Sequence, residues 1–219
     1  MRRLASAVLP FILRAALLAG LAALPGCAIL RAPQAVDVDY FTLDAVPGET
    51  AAGGSGRLTL EVSPARDFPG FDSARMVYVK RPSELDYFAR NRWVDTPARM
   101  LTPLLVQALE RSGAFRAVVR GSGPVTAQLR LDSEVVRLQQ EFLHKPSRVR
   151  LTVRVQLIDL AGRRVLGSRE FDVSEPAPSD DPYGGVIAAN QVLRRVLGEV
   201  VEFCRARAAS ASALGQSMP

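Results

Sequence analysis

Cysteine and histidine are nearly absent from this sequence, which restricts the chemistry available to it. The 219 residues contain two cysteines, Cys27 and Cys204, and a single histidine, His144. Zinc sites need several such ligands at close spacing, and a catalytic triad needs a histidine held by two partners. We interpret His144, at a strand junction beside Lys145-Pro146, as an exposed loop residue. The sequence therefore predicts no metal site and no triad.

Motifs that carry other chemistry are also missing. There is no phosphate-binding Gly-Lys loop and no Gly-x-Ser-x-Gly elbow. The Gly53-Gly54-Ser55-Gly56 run lacks the preceding strand that a nucleotide cradle needs, so it is interpreted as a linker. Asp132 and Glu134 share one face of a strand and could hold a cation, but a solvated sheet face is favoured. We expect a protein that is not an enzyme and has no cofactor.

Only one apolar run approaches the ~20 residues that span a bilayer, and it lies at the N-terminus, from Leu4 to Leu24. Arg2 and Arg3 precede it, as in export signals. It leads into a tetrapeptide typical of lipoprotein processing: Leu24, Pro25, Gly26 and Cys27. In that chemistry the Cys27 thiolate takes a diacylglyceryl thioether, a peptidase cuts before it, and the freed amine is acylated. Acyl chains contribute ~0.8 kcal/mol per buried methylene, so the anchor is stable.

Two alternatives to lipidation remain open, namely a plain transmembrane helix and a signal peptide cut elsewhere. Pro10, Arg14 and Pro25-Gly26 weaken the helix. With lipid on Cys27, Cys204 is left alone and no internal disulfide can form. Removing residues 1–26 from 219 leaves 193, enough for one domain with a core. Because three arginines leave with the signal, the net charge falls from +6 to +3, which weakens any argument for nucleic acid.

The rest of the chain predicts a short tether, one domain and a tail. The boundaries are 1–26 for the signal peptide, 27–39 for the lipidated tether, 40–208 for the domain and 209–219 for a disordered tail. Strands, a helix, more strands and a second helix follow in that order, with helix caps at Thr96 and Asp181. A shift in apolar phase predicts a β-bulge near residues 133–135. The fold class is α/β, a mixed and largely antiparallel sheet packed by two long helices.

A row of arginines is the strongest candidate for a binding surface. Val149, Leu151, Val153, Val155 and Leu157 share one face of a strand, so Arg148, Arg150 and Arg154 lie on the other. Three cations could meet anionic headgroups, an acidic partner or ligand phosphates. The alternative is a solvated face on which they pair with acids such as Glu134. The aromatic and basic stretch from Tyr87 to Trp93 is interpreted as hairpin packing, and Asn190, on an apolar helix stripe, as a hydrogen-bond partner of buried backbone.

Several of these segments together resemble a known family. They are Tyr40-Phe41-Thr42-Leu43, the stretch from Met76-Val77-Tyr78-Val79 through Leu85-Asp86-Tyr87-Phe88 to Arg92-Trp93-Val94 and Pro97, then Leu109-Glu110-Arg111-Ser112-Gly113-Ala114-Phe115 and Ala188-Ala189-Asn190. In this order behind a lipidation cysteine they resemble the ABC-type transport auxiliary lipoproteins, the PqiC-like family. The likeness covers roughly residues 40–204.

The resemblance implies a fold similar to TolB N-terminal and anticodon-binding-like domains, and a lipid-anchored protein on the periplasmic face of the outer membrane of a Gram-negative bacterium. Ala28, in place of Asp, agrees with that sorting. The implied partners are a mammalian cell entry (MCE) domain protein and the permease and ATPase of an ABC system that moves phospholipid or another hydrophobic solute. No nucleic acid is implied, and a homo-oligomer is compatible. A structural or outer-membrane-assembly lipoprotein is the alternative function.

Overall fold

The computed structural model describes residues 37–45, 56–121, 123 and 125–216. In chain order the elements are β1 (Asp39–Phe41), β2 (Thr59–Val62), β3 (Arg66–Asp67), β4 (Arg75–Val79), β5 (Asp86–Trp93), α1 (Pro97–Arg111), β6 (Ala117–Arg120), β7 (Leu129–Glu141), β8 (Arg148–Asp159), β9 (Arg164–Pro176) and α2 (Pro182–Gln216). The predicted signal peptide, Cys27 and residues 28–36 of the tether lie outside the described residues.

The long strand β7 organises the sheet. Along one edge it pairs in parallel with three short strands in succession: β2 at Leu129–Leu131, β3 at residues 134–135 and β4 at residues 139–141. Along its other edge it pairs antiparallel with β8 over nearly its whole length. Three separate segments of the N-terminal half are thus aligned by one strand of the C-terminal half, which makes the domain a single folded unit.

The remaining strands extend the sheet on both sides. β5 and β1 continue outward from β4, β6 flanks β2, and β9 pairs with β8. Short pairings such as β1–β5 and β2–β6 are parallel, whereas the long β7–β8 and β8–β9 pairings are antiparallel and contain most of the paired residues. The predicted fold class is confirmed.

Helix α1 begins and ends where the sequence predicts. Thr96 is the N-cap, its side chain accepts from the backbone N–H of Arg99, and Pro97 occupies the first turn, where its missing N–H costs no helical bond. Gly113 has a φ of +62° just past the end of the helix, a conformation that glycine adopts without a Cβ clash. Leu101, Leu105 and Leu109 of α1 are fully buried.

Helix α2 begins at Pro182, with the Asp181 carboxylate accepting from the Gly184 N–H at 2.7 Å, which is the predicted cap. That hydrogen bond is the largest cause of the lowered pKa of Asp181. The helix continues to Gln216, whereas the sequence predicted a disordered tail from residue 209. Alanine has the highest helix propensity, so an Ala/Ser-rich segment can extend a helix.

The core lies between one face of the sheet and the two helices. In β8 the predicted alternation holds, since the five residues from Val149 to Leu157 on that face are buried. Phe171 of β9 packs edge to face on Phe203 of α2, with ring centroids 6.1 Å apart. Among the described residues no helix has the length and apolar character needed to cross a membrane.

The phase change in β7 is a β-bulge. Val135 pairs with Val153 and Arg137 pairs with Thr152, so Val136 is the extra residue, one position beyond the predicted 133–135. The bulge returns Leu138 to the core face, where it is buried like Val135. It therefore lets one strand follow the core through both halves of the sheet. β7 itself begins at Leu129, and Val125, four residues earlier, is exposed.

Candidate functional site

The predicted arginine row lies on the face of the sheet opposite the helices. Arg150 donates to both carboxylate oxygens of Asp172 on β9, with 2.8 Å between Nε and Oδ1. Thr152 donates to the same Oδ1 at 2.9 Å. These hydrogen bonds, that of Arg150 first, lower the pKa of Asp172, and the bond to Asp172 raises the pKa of Arg150. The charge of Arg150 is therefore neutralised by Asp172 on the neighbouring strand.

Arg154 and Arg148 are also engaged by neighbouring strands. Arg154 bridges Glu134 of β7 at 2.9 Å and Glu170 of β9 at 2.8 Å. Arg148 donates to the hydroxyl of Ser174 at 3.0 Å and to its carbonyl at 3.1 Å. The alternative reading, in which the row pairs with acids such as Glu134, is the one the geometry favours. A binding role for Arg148, Arg150 and Arg154 stays a prediction without support from this arrangement.

The acids considered as cation ligands have cationic partners instead. Asp132 lies 3.1 Å from Arg130, and Glu134 is bonded to Arg154. Across the parts of the chain that the structure describes, no group of three His, Cys, Asp or Glu side chains is placed to hold a metal ion. The charged face is therefore a set of ion pairs, within β7 and between neighbouring strands, which stabilises strand pairing and leaves little net charge.

His144 takes the position predicted for it, and the structure shows where Cys204 lies. His144 is exposed in the turn between β7 and β8. Cys204 is fully buried on α2, and this burial raises the pKa of its thiol to about 12. A thiol that is neither ionised nor accessible is inert toward disulfide exchange and alkylation.

The aromatic stretch from Tyr87 to Trp93 forms β5 and serves packing, as expected. Phe88 lies 4.6 Å from Tyr78 between ring centroids, and Trp93 is buried. Arg75 lies 3.6 Å from the ring centroid of Tyr87. These contacts close the β4–β5 hairpin, and they leave no row of stacked, exposed rings of the kind that binds single-stranded nucleic acid.

Asn190 joins the start of the domain to its last helix. Its side-chain oxygen accepts from the Asp44 backbone N–H at 2.9 Å, and its amide donates to the carbonyls of Thr42 at 3.5 Å and Val186 at 3.2 Å. The backbone that follows β1 has no strand partner of its own at these groups, so an asparagine satisfies it. The prediction that Asn190 bonds to backbone is confirmed, but Thr42 and Asp44 are exposed residues, and of the three partners only Val186 is buried. The segment so held carries Leu43 and Ala45 into the core.

A second contact between distant segments, at the start of α2, was not predicted from the sequence. A Cβ on Gly185 would lie 2.3 Å from the side-chain oxygen of Gln140. Gln140 is buried and donates to the hydroxyl of Ser147 at 2.9 Å and to the Asp181 carbonyl at 3.2 Å. Ser147 in turn donates its backbone N–H to Asp180 at 2.7 Å. Gly185 was the signal that the sequence offered for this contact. Glycine is unfavourable within a helix, so its presence in the first turn indicates a close packing contact there.

These features define a class of protein, a two-layer α/β domain. The charges on its polar sheet face neutralise one another, and the segment after its first strand is hydrogen-bonded to a long C-terminal helix. The chain belongs to the ABC-type transport auxiliary lipoprotein component family, whose model matches residues 41–201. A search of curated proteins gives no match.

Solved structures share the fold at low sequence identity. Protein XCC0632 from Xanthomonas campestris, of the DUF330 family model, is 23% identical, with a TM-score of 0.73 over 80% of this chain and 99% of that one. A structure described only as an uncharacterized protein is 15% identical, with a TM-score of 0.61 over 77% of this chain and 99% of that chain. The family places the chain among lipoproteins associated with the cell envelope and with ABC-type transport systems.

Proposed function

We propose that this protein is a non-enzymatic docking subunit of an ABC-type lipid transport system, held at the periplasmic face of the outer membrane by lipid on Cys27. The observation that carries the proposal is the family match over residues 41–201, which spans the whole domain from β1 to the middle of α2. The expected partners are an MCE-domain protein and the permease and ATPase of the same system. The cargo class is phospholipid or another hydrophobic solute.

Two features of the domain agree with a docking role. Cross-strand ion pairs such as Arg150–Asp172 and Arg154–Glu134 stabilise the sheet, as a rigid docking scaffold requires. The Asn190 contacts hold the segment that follows β1 to α2, so the start of the domain, to which the tether is joined, is fixed to its last helix. Energy for transport comes, in this proposal, from the ATPase.

The anchor is tested by membrane fractionation and by mass spectrometry of the mature N-terminus. We expect an acylated Cys27 and recovery in the outer-membrane fraction, and a Cys27→Ser variant that remains unprocessed. An unmodified thiol at Cys27, or a mature N-terminus elsewhere, would overturn the lipid anchor and leave the domain's role to be tested separately.

The partners are tested by a mild-detergent pull-down of the tagged, full-length chain, with mass spectrometry of the bound proteins and lipids. We expect an MCE-domain protein together with a permease and an ATPase, and enriched phospholipid. Recovery of only outer-membrane-assembly or cell-wall proteins, without lipid, would contradict the transport role. That outcome would favour the alternative, a structural envelope lipoprotein.

A further inference from the structure

The last strand of the sheet has a long free edge. β9 runs for 13 residues, and among the described residues its only strand partner is β8. At ~3.3 Å per residue this edge is about 43 Å long. An edge strand presents a row of backbone N–H and C=O groups that another extended chain can pair with. Among the described residues the other strands with a single strand partner, β1, β3 and β6, have three, two and four residues and offer far less.

A groove runs beside this edge, between β9 and α2. It has a volume of about 620 Å³ and is lined by Arg169 of β9 and by residues of α2: Arg194, Arg195, Gly198, Glu199 and Glu202. Arg194, Gly198 and Glu202 follow one another at intervals of four, so they form one stripe along the helix. A Cβ built on Gly198 meets no atom within 4 Å. A strand added to β9 would place the side chains of its helix-side face over this stripe.

The charges around the groove favour an acidic occupant. The arginines of the β8–β9 turn, of β9 and of α2 are Arg163, Arg164, Arg169, Arg194, Arg195, Arg205 and Arg207, against the acids Asp159, Glu175, Glu199 and Glu202. Each of these acids is paired: Asp159 with Arg164, Glu175 with Arg195, Glu199 with Arg169 and Glu202 with Arg205. Arg194, by contrast, is exposed and has no ion pair with a described carboxylate. The acids Glu170 and Asp172 of β9 are bonded to Arg154 and Arg150 on the opposite face, so they do not balance this excess.

The same charges disfavour pairing of β9 with β9 of a second copy of this chain. Two β9 edges related by a two-fold axis would bring both cationic flanks together, and like charges at an interface are costly. An acidic partner meets no such cost.

We propose that β9 and the adjacent stripe of α2 bind an extended, acidic segment of a partner protein, which adds to the sheet as a further strand. Main-chain hydrogen bonds along β9 supply affinity, and Arg194 with its neighbours selects carboxylates at alternate positions of the segment. This deepens the proposed docking role by naming the surface and the chemistry of the partner segment.

The test uses the full-length chain in mild detergent and a labelled peptide of about ten residues that alternates threonine and glutamate. We expect saturable binding by fluorescence polarisation, and slowed amide exchange in residues 164–176. A peptide N-methylated at every amide has no N–H to donate along either edge, and should bind at least about tenfold more weakly because several hydrogen bonds are lost. A threonine–lysine peptide should not bind.

Matched variants locate the site. Arg194→Glu should weaken the peptide at least about threefold, since it replaces an attractive charge with a repulsive one. Arg99→Glu is the control, because Arg99 is an exposed arginine of α1, far from β9 in sequence, that pairs with Asp95. Equal binding of the N-methylated peptide, or equal loss in both variants, would overturn the proposal. A dimer that the peptide does not dissociate would assign the surface to a second copy of this chain. Arg194-dependent binding to phosphatidylglycerol vesicles in place of the peptide would assign it to lipid headgroups.

The pull-down separates this inference from the proposed function. Recovery of the transport subunits with the Arg194→Glu variant at wild-type levels would overturn the docking surface and leave the transport role intact. Peptide binding without recovery of any transport subunit would contradict the transport role and leave the docking surface intact.

Discussion

Replacing Asn190 with leucine should loosen the N-terminal segment of the domain. The change removes the acceptor of the Asp44 N–H at 2.9 Å and the donor to the Thr42 carbonyl at 3.5 Å. Each hydrogen bond contributes about 0.5–1.5 kcal/mol net, and an unsatisfied buried group costs about 1–3 kcal/mol. Because the segment is partly exposed and water can replace part of the loss, we expect a destabilisation of about 1–3 kcal/mol.

The effect is measurable by thermal unfolding. In a domain of 150–250 residues, 1 kcal/mol shifts Tm by about 2–4 °C, so Asn190→Leu should lower Tm by roughly 2–12 °C. Amide exchange at Asp44 should speed up more than exchange in β7. Gln191→Ala is the control, because Gln191 is the next residue of α2 and is exposed. An unchanged Tm for Asn190→Leu, or an equal shift in the control, would refute the role of Asn190.

Further predictions concern the junctions, the buried thiol and the charged face. Gly185→Ala should destabilise the domain by about 1–3 kcal/mol in urea titrations, because the new Cβ would lie 2.3 Å from the Gln140 side-chain oxygen. Gly198→Ala, which has open space around the new Cβ, should stabilise the domain by up to about 1 kcal/mol. Equal effects of the two substitutions would contradict the packing argument. Cys204 should react with a thiol reagent at pH 8 only after unfolding, and prompt reaction of the folded chain would contradict its burial. The lowered pKa of Asp172 means that its contribution to stability is full above about pH 4, the unfolded value, and is lost as the pH falls through the lower folded value. Asp172→Asn should therefore show a smaller loss of stability between about pH 4 and pH 2 than the wild type, and identical acid profiles would contradict the pairing with Arg150.

Much of the fold could be predicted from local patterns in the sequence. Both helix starts follow from capping chemistry, at Thr96 and Asp181, because the signal lies within four residues. The buried face of β8 follows from strict alternation, and the bulge in β7 from a change of apolar phase. Asn190 could be assigned to backbone bonding because a lone amide on an apolar stripe requires partners.

The features that were missed depend on contacts distant in sequence. The order of β2, β3 and β4 along one edge of β7 is set by tertiary packing, and no local pattern encodes it. The particular partners of the arginine row could not be predicted, because Asp172 and Glu170 lie on a strand 16–22 residues away from Arg150 and Arg154. The close contact of Gly185 with Gln140 joins residues of α2 and β7, and only the folded chain shows why glycine is required there.

The central claim, a role in ATPase-driven lipid transport, is tested most directly by following a pulse-labelled phospholipid between the inner and outer membranes of cells. The account predicts that cells lacking this protein exchange lipid as slowly as cells lacking the partner ATPase, and that the double deletion is no slower than either single one. Normal exchange without this protein, or additive defects in the double deletion, would contradict it.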